Sequence, residues 1–79
     1  MDTFRDKLRL GAIDINQNDK NGVFLRQFDE VRYKEEKYII IWHPIYEEFV
    51  ASHHTRKFIP YELLNRVEYK KNLKENVPK

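Results

Sequence analysis

Glu30–Ser52, EVRYKEEKYIIIWHPIYEEFVAS, decides the architecture. Two polar interruptions, Lys34–Lys37 and Pro44–Glu47, divide it into three segments rich in β-branched and aromatic residues. Such residues suit a pleated, half-buried surface, so the stretch reads as a three-stranded antiparallel meander. A two-residue turn at Glu35-Glu36 would set Tyr33 opposite Tyr38 and Val31 opposite Ile40; with no Asn-Gly there, a longer loop is equally compatible. A second hairpin capped by Ile45 and Tyr46 would set His43 opposite Glu48, Trp42 opposite Phe49 and Ile41 opposite Val50. One face then carries Val31, Tyr33, Tyr38, Ile40, Trp42, Phe49 and Ala51, the expected core.

The other face carries Ile39, Ile41 and Val50, flanked by Arg32, Lys34 and Ser52. A sheet buried on one side alternates cleanly, and Tyr38–Trp42 (YIIIW) does not. Either other segments close this second face or it is an interface, and it forms one candidate protein-binding surface together with the hairpin tip Pro44, Ile45 and Tyr46. Two apolar residues and a proline are an unusual composition for a turn that meets only water.

Around this meander the remaining segments act as covers. Met1–Leu10, with Asp2 or Thr3 as an N-cap and Phe4 and Leu8 at i, i+4 spacing, predicts a short N-terminal helical segment. Ala12–Ile15 suits a short strand, Asn16–Gly22 a loop, and Val23–Phe28 a strand or an irregular ordered loop offering Val23, Leu25 and Phe28 to the core. Phe58–Leu64 predicts a short helix or 3-10 turn near residues 60–64, with Pro60 at its first position, Leu63 and Leu64 inward, and Asn65 ending it in a left-handed conformation. Arg66–Tyr69 reads as a closing strand. The expectation is a single small β-rich domain over residues 1–70 and a frayed charged tail over 71–79.

Composition narrows the function. The chain has 79 residues, close to the lower limit for a self-sufficient core, and no cysteine. Neither a disulfide framework nor a thiolate metal site can staple it, so packing, oligomerisation or a partner must. No apolar run approaches the ~20 residues of a membrane helix, and charges interrupt the first ten residues where a secretory signal would be apolar. An intracellular protein is expected, with no membrane partner. With 15 basic and 13 acidic residues, the charge lacks the clustered excess of a dedicated nucleic-acid binder. The local exception is a basic sheet end, Arg32, Lys34, His53, His54, Arg56 and Lys57, which offers contacts to phosphates, nucleic acid or an acidic protein surface.

Catalytic and metal chemistry find little footing. His43 and His53 are expected at opposite ends of their strands, about five rungs of ~3.3 Å apart, beyond the reach of one ion. His53 and His54, adjacent on a strand, should point to opposite faces. Asp14, Asn16, Asn18 and Asp19 resemble the start of a calcium loop, but Asp19 and Leu25 stand where that loop needs Gly and Glu. Ser52 neighbours His53 and His54 only in sequence, and with two glycines in all there is no phosphate-cradling loop. We expect no catalytic residues, no metal site, no cofactor and no small-molecule substrate.

The run Asp19-Lys20-Asn21-Gly22, then Phe28-Asp29-Glu30-Val31-Arg32-Tyr33, then Lys37-Tyr38-Ile39-Ile40-Ile41-Trp42 resembles the YopX family of small phage and prophage proteins. Glu62-Leu63-Leu64-Asn65, Val67-Glu68 and Lys74-Glu75-Asn76 are similar to that family's C-terminal part. The likeness spans about four-fifths of the chain, and its motifs are turn and strand punctuation. Gln27-Phe28 stand where Glu-Gly is usual, and Glu35-Glu36 where Asn-Gly is common. The resemblance implies a mainly β, SH3-like, partly open barrel encoded by a phage or other mobile element, in the cytoplasm of a bacterial host and without known catalysis. A non-catalytic module acting through protein contact or self-assembly is the expected function; the alternatives are a nucleic-acid-binding accessory protein and an inhibitor of a host defence enzyme.

Overall fold

In the computed structural model, residues 11–73 are described. The expected N-terminal helical segment therefore lies outside the described residues, as does the chain beyond Leu73. Strands β1 (Asp14–Asn18) and β2 (Phe24–Arg26) form a two-stranded antiparallel sheet. Strands β3 (Asp29–Tyr33), β4 (Glu36–His43), β5 (Glu48–Ser52), β6 (Phe58–Ile59) and β7 (Glu68–Asn72) form a five-stranded sheet in the order β6-β5-β4-β3-β7. A 3-10 helix, Tyr61–Arg66, connects β6 to β7. The chain is mainly β, as its aromatic and β-branched content requires.

The second hairpin has the expected register, with His43 opposite Glu48, Trp42 opposite Phe49 and Ile41 opposite Val50. The first does not. Val31 stands opposite Tyr38, and Tyr33 opposite Glu36, so every partner is displaced by two positions. The turn residues are Lys34 and Glu35, both left-handed at φ 52° and 67°. That is the backbone of a two-residue hairpin turn whose handedness matches strand twist, made without glycine or asparagine at a cost of about 1 kcal/mol per residue. The shift frees Glu36 to begin β4, where its carboxylate meets Lys57 and His53. Because a displacement of two preserves the face of every side chain, the expected core face survives the wrong register.

That face buries Val31, Tyr38, Ile40, Phe49 and Ala51, with Tyr33 and Trp42 packed at its margin. Ile15, Leu25, Ile59, Leu64 and Val67 close the cluster. The 3-10 helix supplies Leu64 but leaves Leu63 exposed: a repeat of three residues aligns Leu64 with Tyr61 and turns Leu63 outward. Pro60 precedes the helix, and the chain leaves at Val67 in extended conformation (φ −93°) without a left-handed Asn65.

Tyr61 fastens the two sheets together. Its hydroxyl lies 2.6 Å from the carbonyl oxygen of Asn16 and 2.9 Å from that of Ile15. Its backbone N–H donates to the Glu48 carboxylate (3.3 Å), and Gln17 Nε2 donates to its carbonyl (3.1 Å).

The polar loop is shorter than expected, because β1 continues through Asn18. Asp19, buried, organises what remains. Its Oδ1 accepts the N–H groups of Asn21 and Val23, and its Oδ2 that of Tyr69, all at 2.8 Å. A single side chain thus closes the turn and attaches it to β7.

The closing strand also runs further than expected. Glu30 pairs with Lys71 while Val31 pairs with Tyr69, so Lys70 is a bulge. Beyond it Asn72, 1% exposed, donates to the Gln27 carbonyl (3.0 Å) and to Asp29 Oδ1 (2.7 Å). Lys71 and Asn72 therefore belong to the sheet and not to a frayed tail.

Candidate binding face

The second face of the sheet can be followed from partner to partner. One rung crosses all five strands as Lys71, Glu30, Ile39, Ser52 and Phe58. The rung on one side of it carries Glu68, Arg32 and Lys37, and that on the other carries Ile41 and Val50. Two grooves open on this face. The larger, about 410 Å³, is lined by Ile41, Val50 and Phe58 together with Trp42, His43, Pro44, Ser52 and Arg56. The smaller, about 260 Å³, is lined by Lys37, Ile39, Ile41, Ser52, His53 and His54. Ile41 and Ser52 line both.

Among the three apolar residues expected here, Ile39 and Ile41 are half-buried, whereas Val50 is 0% exposed. Val50 supports the groove floor but offers no area to a partner, so its place among the interface residues is corrected.

At the hairpin tip, the N–H of Glu47 donates to the His43 carbonyl (2.7 Å), closing a turn over Pro44-Ile45-Tyr46-Glu47. Ile45 is 82% and Tyr46 60% exposed. Tyr46 leans back to the sheet, its ring centroid 4.6 Å from that of His43 and 5.6 Å from that of Phe58. Ile45 has no such support. The tip is thus continuous, through His43 and Phe58, with the larger groove. Phe58 escaped sequence reading because a two-residue strand has too little alternation to register.

The basic residues do not form one surface. His53 is buried, and its ring is fixed: Thr55 N–H donates to Nδ1 (3.2 Å), with Thr55 Oγ1 at 2.7 Å from the same nitrogen. On the other side of the ring Nε2 lies 3.3 Å from Glu36 Oε2. Lys57 Nζ lies 2.6 Å from Glu36 Oε1. This hydrogen bond is the largest cause holding the Glu36 carboxyl below its ordinary range, with the Lys57 charge adding to it and partial desolvation opposing. The same bond raises Lys57. His53 is consequently engaged inside the protein, whereas Lys57 is held by Glu36 at the surface and remains exposed.

His54 packs against His53, ring centroids 4.3 Å apart. They do not point to opposite faces, because β5 ends at Ser52 and strand alternation lapses. Lys34 sits in the turn with its ammonium 5.4 Å from the Tyr33 ring centroid. Arg32 and Arg56 are exposed, Arg56 with a left-handed backbone (φ 79°). His43 is at one end of β4, while His53 lies beside Tyr38 near the other. Among the described residues no three His, Asp or Glu side chains converge as a metal site, and no helix is long and apolar enough to cross a membrane.

No family model, curated protein or solved structure matches this chain.

Proposed function

We propose that the protein is a non-catalytic binding module, encoded by a phage or other mobile element and acting in the cytoplasm of a bacterial host. It works by protein–protein contact or self-assembly. The observation that carries this reading is the exposed apolar tip, with Ile45 at 82% and Tyr46 at 60% exposure, continuous with the groove over Ile41 and Phe58. Exposing such residues at the end of a hairpin has no folding benefit, while a partner that covers them recovers about 25 cal/mol per Å² of apolar surface. The YopX resemblance supplies the mobile-element origin and the SH3-like description of the sheet; inhibition of a host defence enzyme is one form such contact could take.

Light scattering coupled to size exclusion, followed by affinity capture from bacterial lysate, tests the reading against Ile45→Ser/Tyr46→Ser. Self-assembly predicts a concentration-dependent oligomer that the double variant abolishes. A partner predicts captured protein that the double variant loses. Nucleic-acid binding through Arg32, Lys34, Arg56 and Lys57 is the competing reading. It requires salt-sensitive oligonucleotide binding removed by Arg56→Glu/Lys57→Glu, with no effect of the tip variant; that result would replace the proposal.

A further inference from the structure

Neither groove on the second face has an acidic residue in its lining, although the chain carries 13 Asp and Glu. Each has a cation: Arg56 at the larger and Lys37 at the smaller. Among the described residues no carboxylate forms an ion pair with either. Lys37 moreover stands directly opposite Arg32 in the β3–β4 ladder, an arrangement of like charges that weakens a sheet. Two acids stand on the neighbouring strands of this face: Glu30, diagonal to Lys37 on β3, and Glu68, beyond Arg32 on β7 with Lys70 at 3.5 Å. The two grooves thus combine a cation each with an aliphatic lining of Ile39 and Ile41 and no acid.

The Arg56 position is built, not incidental. Its N–H donates to the His53 carbonyl (2.9 Å), and the His53 N–H donates to the Lys57 carbonyl (2.9 Å). The buried His53 ring, held by Thr55 and Glu36, stiffens the same loop. Together these bonds hold the Arg56 backbone in a left-handed conformation that a non-glycine residue adopts only at a cost, which fixes the point at which its side chain leaves the loop.

We propose that this face binds an acidic peptide segment of a partner protein, one that sets Asp or Glu beside bulky apolar side chains. The apolar side chains fill the grooves over Ile39 and Ile41; the carboxylates meet Arg56, which can take one bidentately, and Lys37. A nucleic-acid strand fits less well. The rings here are drawn towards one another, His43 with Tyr46 and Phe58, and His53 with His54, while the groove floor of Ile39 and Ile41 is aliphatic and favours apolar side chains over stacked bases. The inference rests on the binding-module reading above and gives it a ligand chemistry.

Selection of a random phage-displayed peptide library on the immobilised protein tests it. The enriched peptides should place Asp or Glu within about two residues of Leu, Ile, Phe or Trp. A labelled synthetic peptide from that pool should bind at least about tenfold more weakly to Arg56→Glu and Lys37→Glu. Arg56→Gly, which accepts the left-handed backbone and removes the whole side chain with its guanidinium, should lose affinity while its thermal unfolding stays at or above that of the wild type. Enriched peptides without acids, yet dependent on Ile41, would overturn the acidic-ligand inference and leave the binding module standing. Acidic peptides indifferent to Arg56 and Lys37 would overturn the site. No enrichment, together with oligonucleotide binding that Arg56→Glu removes, would overturn both.

Discussion

Glu36 and Lys57, 21 residues apart in the chain, meet at 2.6 Å between Oε1 and Nζ, and the same carboxylate lies 3.3 Å from His53 Nε2. One half-exposed acid at the start of β4 therefore anchors the loop that carries Arg56. Its titration follows from that position. A carboxyl lowered by its partners contributes stability that is fully present above the ordinary Glu value, 4.5, and is lost as pH falls through the lower folded value. Lys57, raised from 10.5, contributes below that value and loses its contribution as pH rises through the raised one. Carbon-detected NMR should find the Glu36 carboxyl titrating below 4.5, and Lys57→Met should return it towards that value. Being open to solvent, the pair should matter less as salt is raised.

Lys34 and Glu35 form the left-handed turn that would suit Asn-Gly. The double substitution Lys34→Asn with Glu35→Gly should stabilise the protein by about 1 kcal/mol. Thermal unfolding should register this as a rise of about 4–8 °C for a domain of this size. A fall would mean that the ammonium of Lys34 over Tyr33 outweighs the backbone relief.

Asp19 accepts three backbone N–H groups from two separate parts of the chain. Asp19→Ala should cost about 3 kcal/mol in urea unfolding, because three backbone donors lose their shared acceptor at once. Asp19→Asn keeps one acceptor oxygen, so its stability should fall between those of the wild type and Asp19→Ala. Hydrogen exchange at Tyr69 should accelerate in both variants, reporting the loosened join between the loop and β7.

Ile41 and Val50 are cross-strand partners on one face but differ in burial. Val50→Ala should lower stability by about 1–3 kcal/mol, since Val50 is fully enclosed. Ile41→Glu, at a half-buried position lining both grooves, should leave a folded monomer and remove binding. Unfolding of the Ile41→Glu monomer, seen by circular dichroism, would mean that the second face is core.

The chain from Glu30 to Ser52 states its two faces plainly, because side chains alternate with a period of two and that pattern is local. Val31, Tyr38, Ile40, Phe49 and Ala51 are buried as the alternation requires, and the second hairpin register follows from it. The exposed tip at Ile45 is equally legible, since apolar residues in a turn have nowhere else to go. Other features depend on partners distant in sequence. Alternation is indifferent to a shift of two, so it left the turn open; the register with Lys34-Glu35 in the turn is the one that brings Glu36 to Lys57. Likewise His53 turned inward because the strand stopped at Ser52, and Asn72 joined the sheet because Gln27 and Asp29 needed a buried donor. Sequence periodicity determined which way side chains face; only tertiary structure decided which of them meet, because meeting depends on where distant strands place their partners.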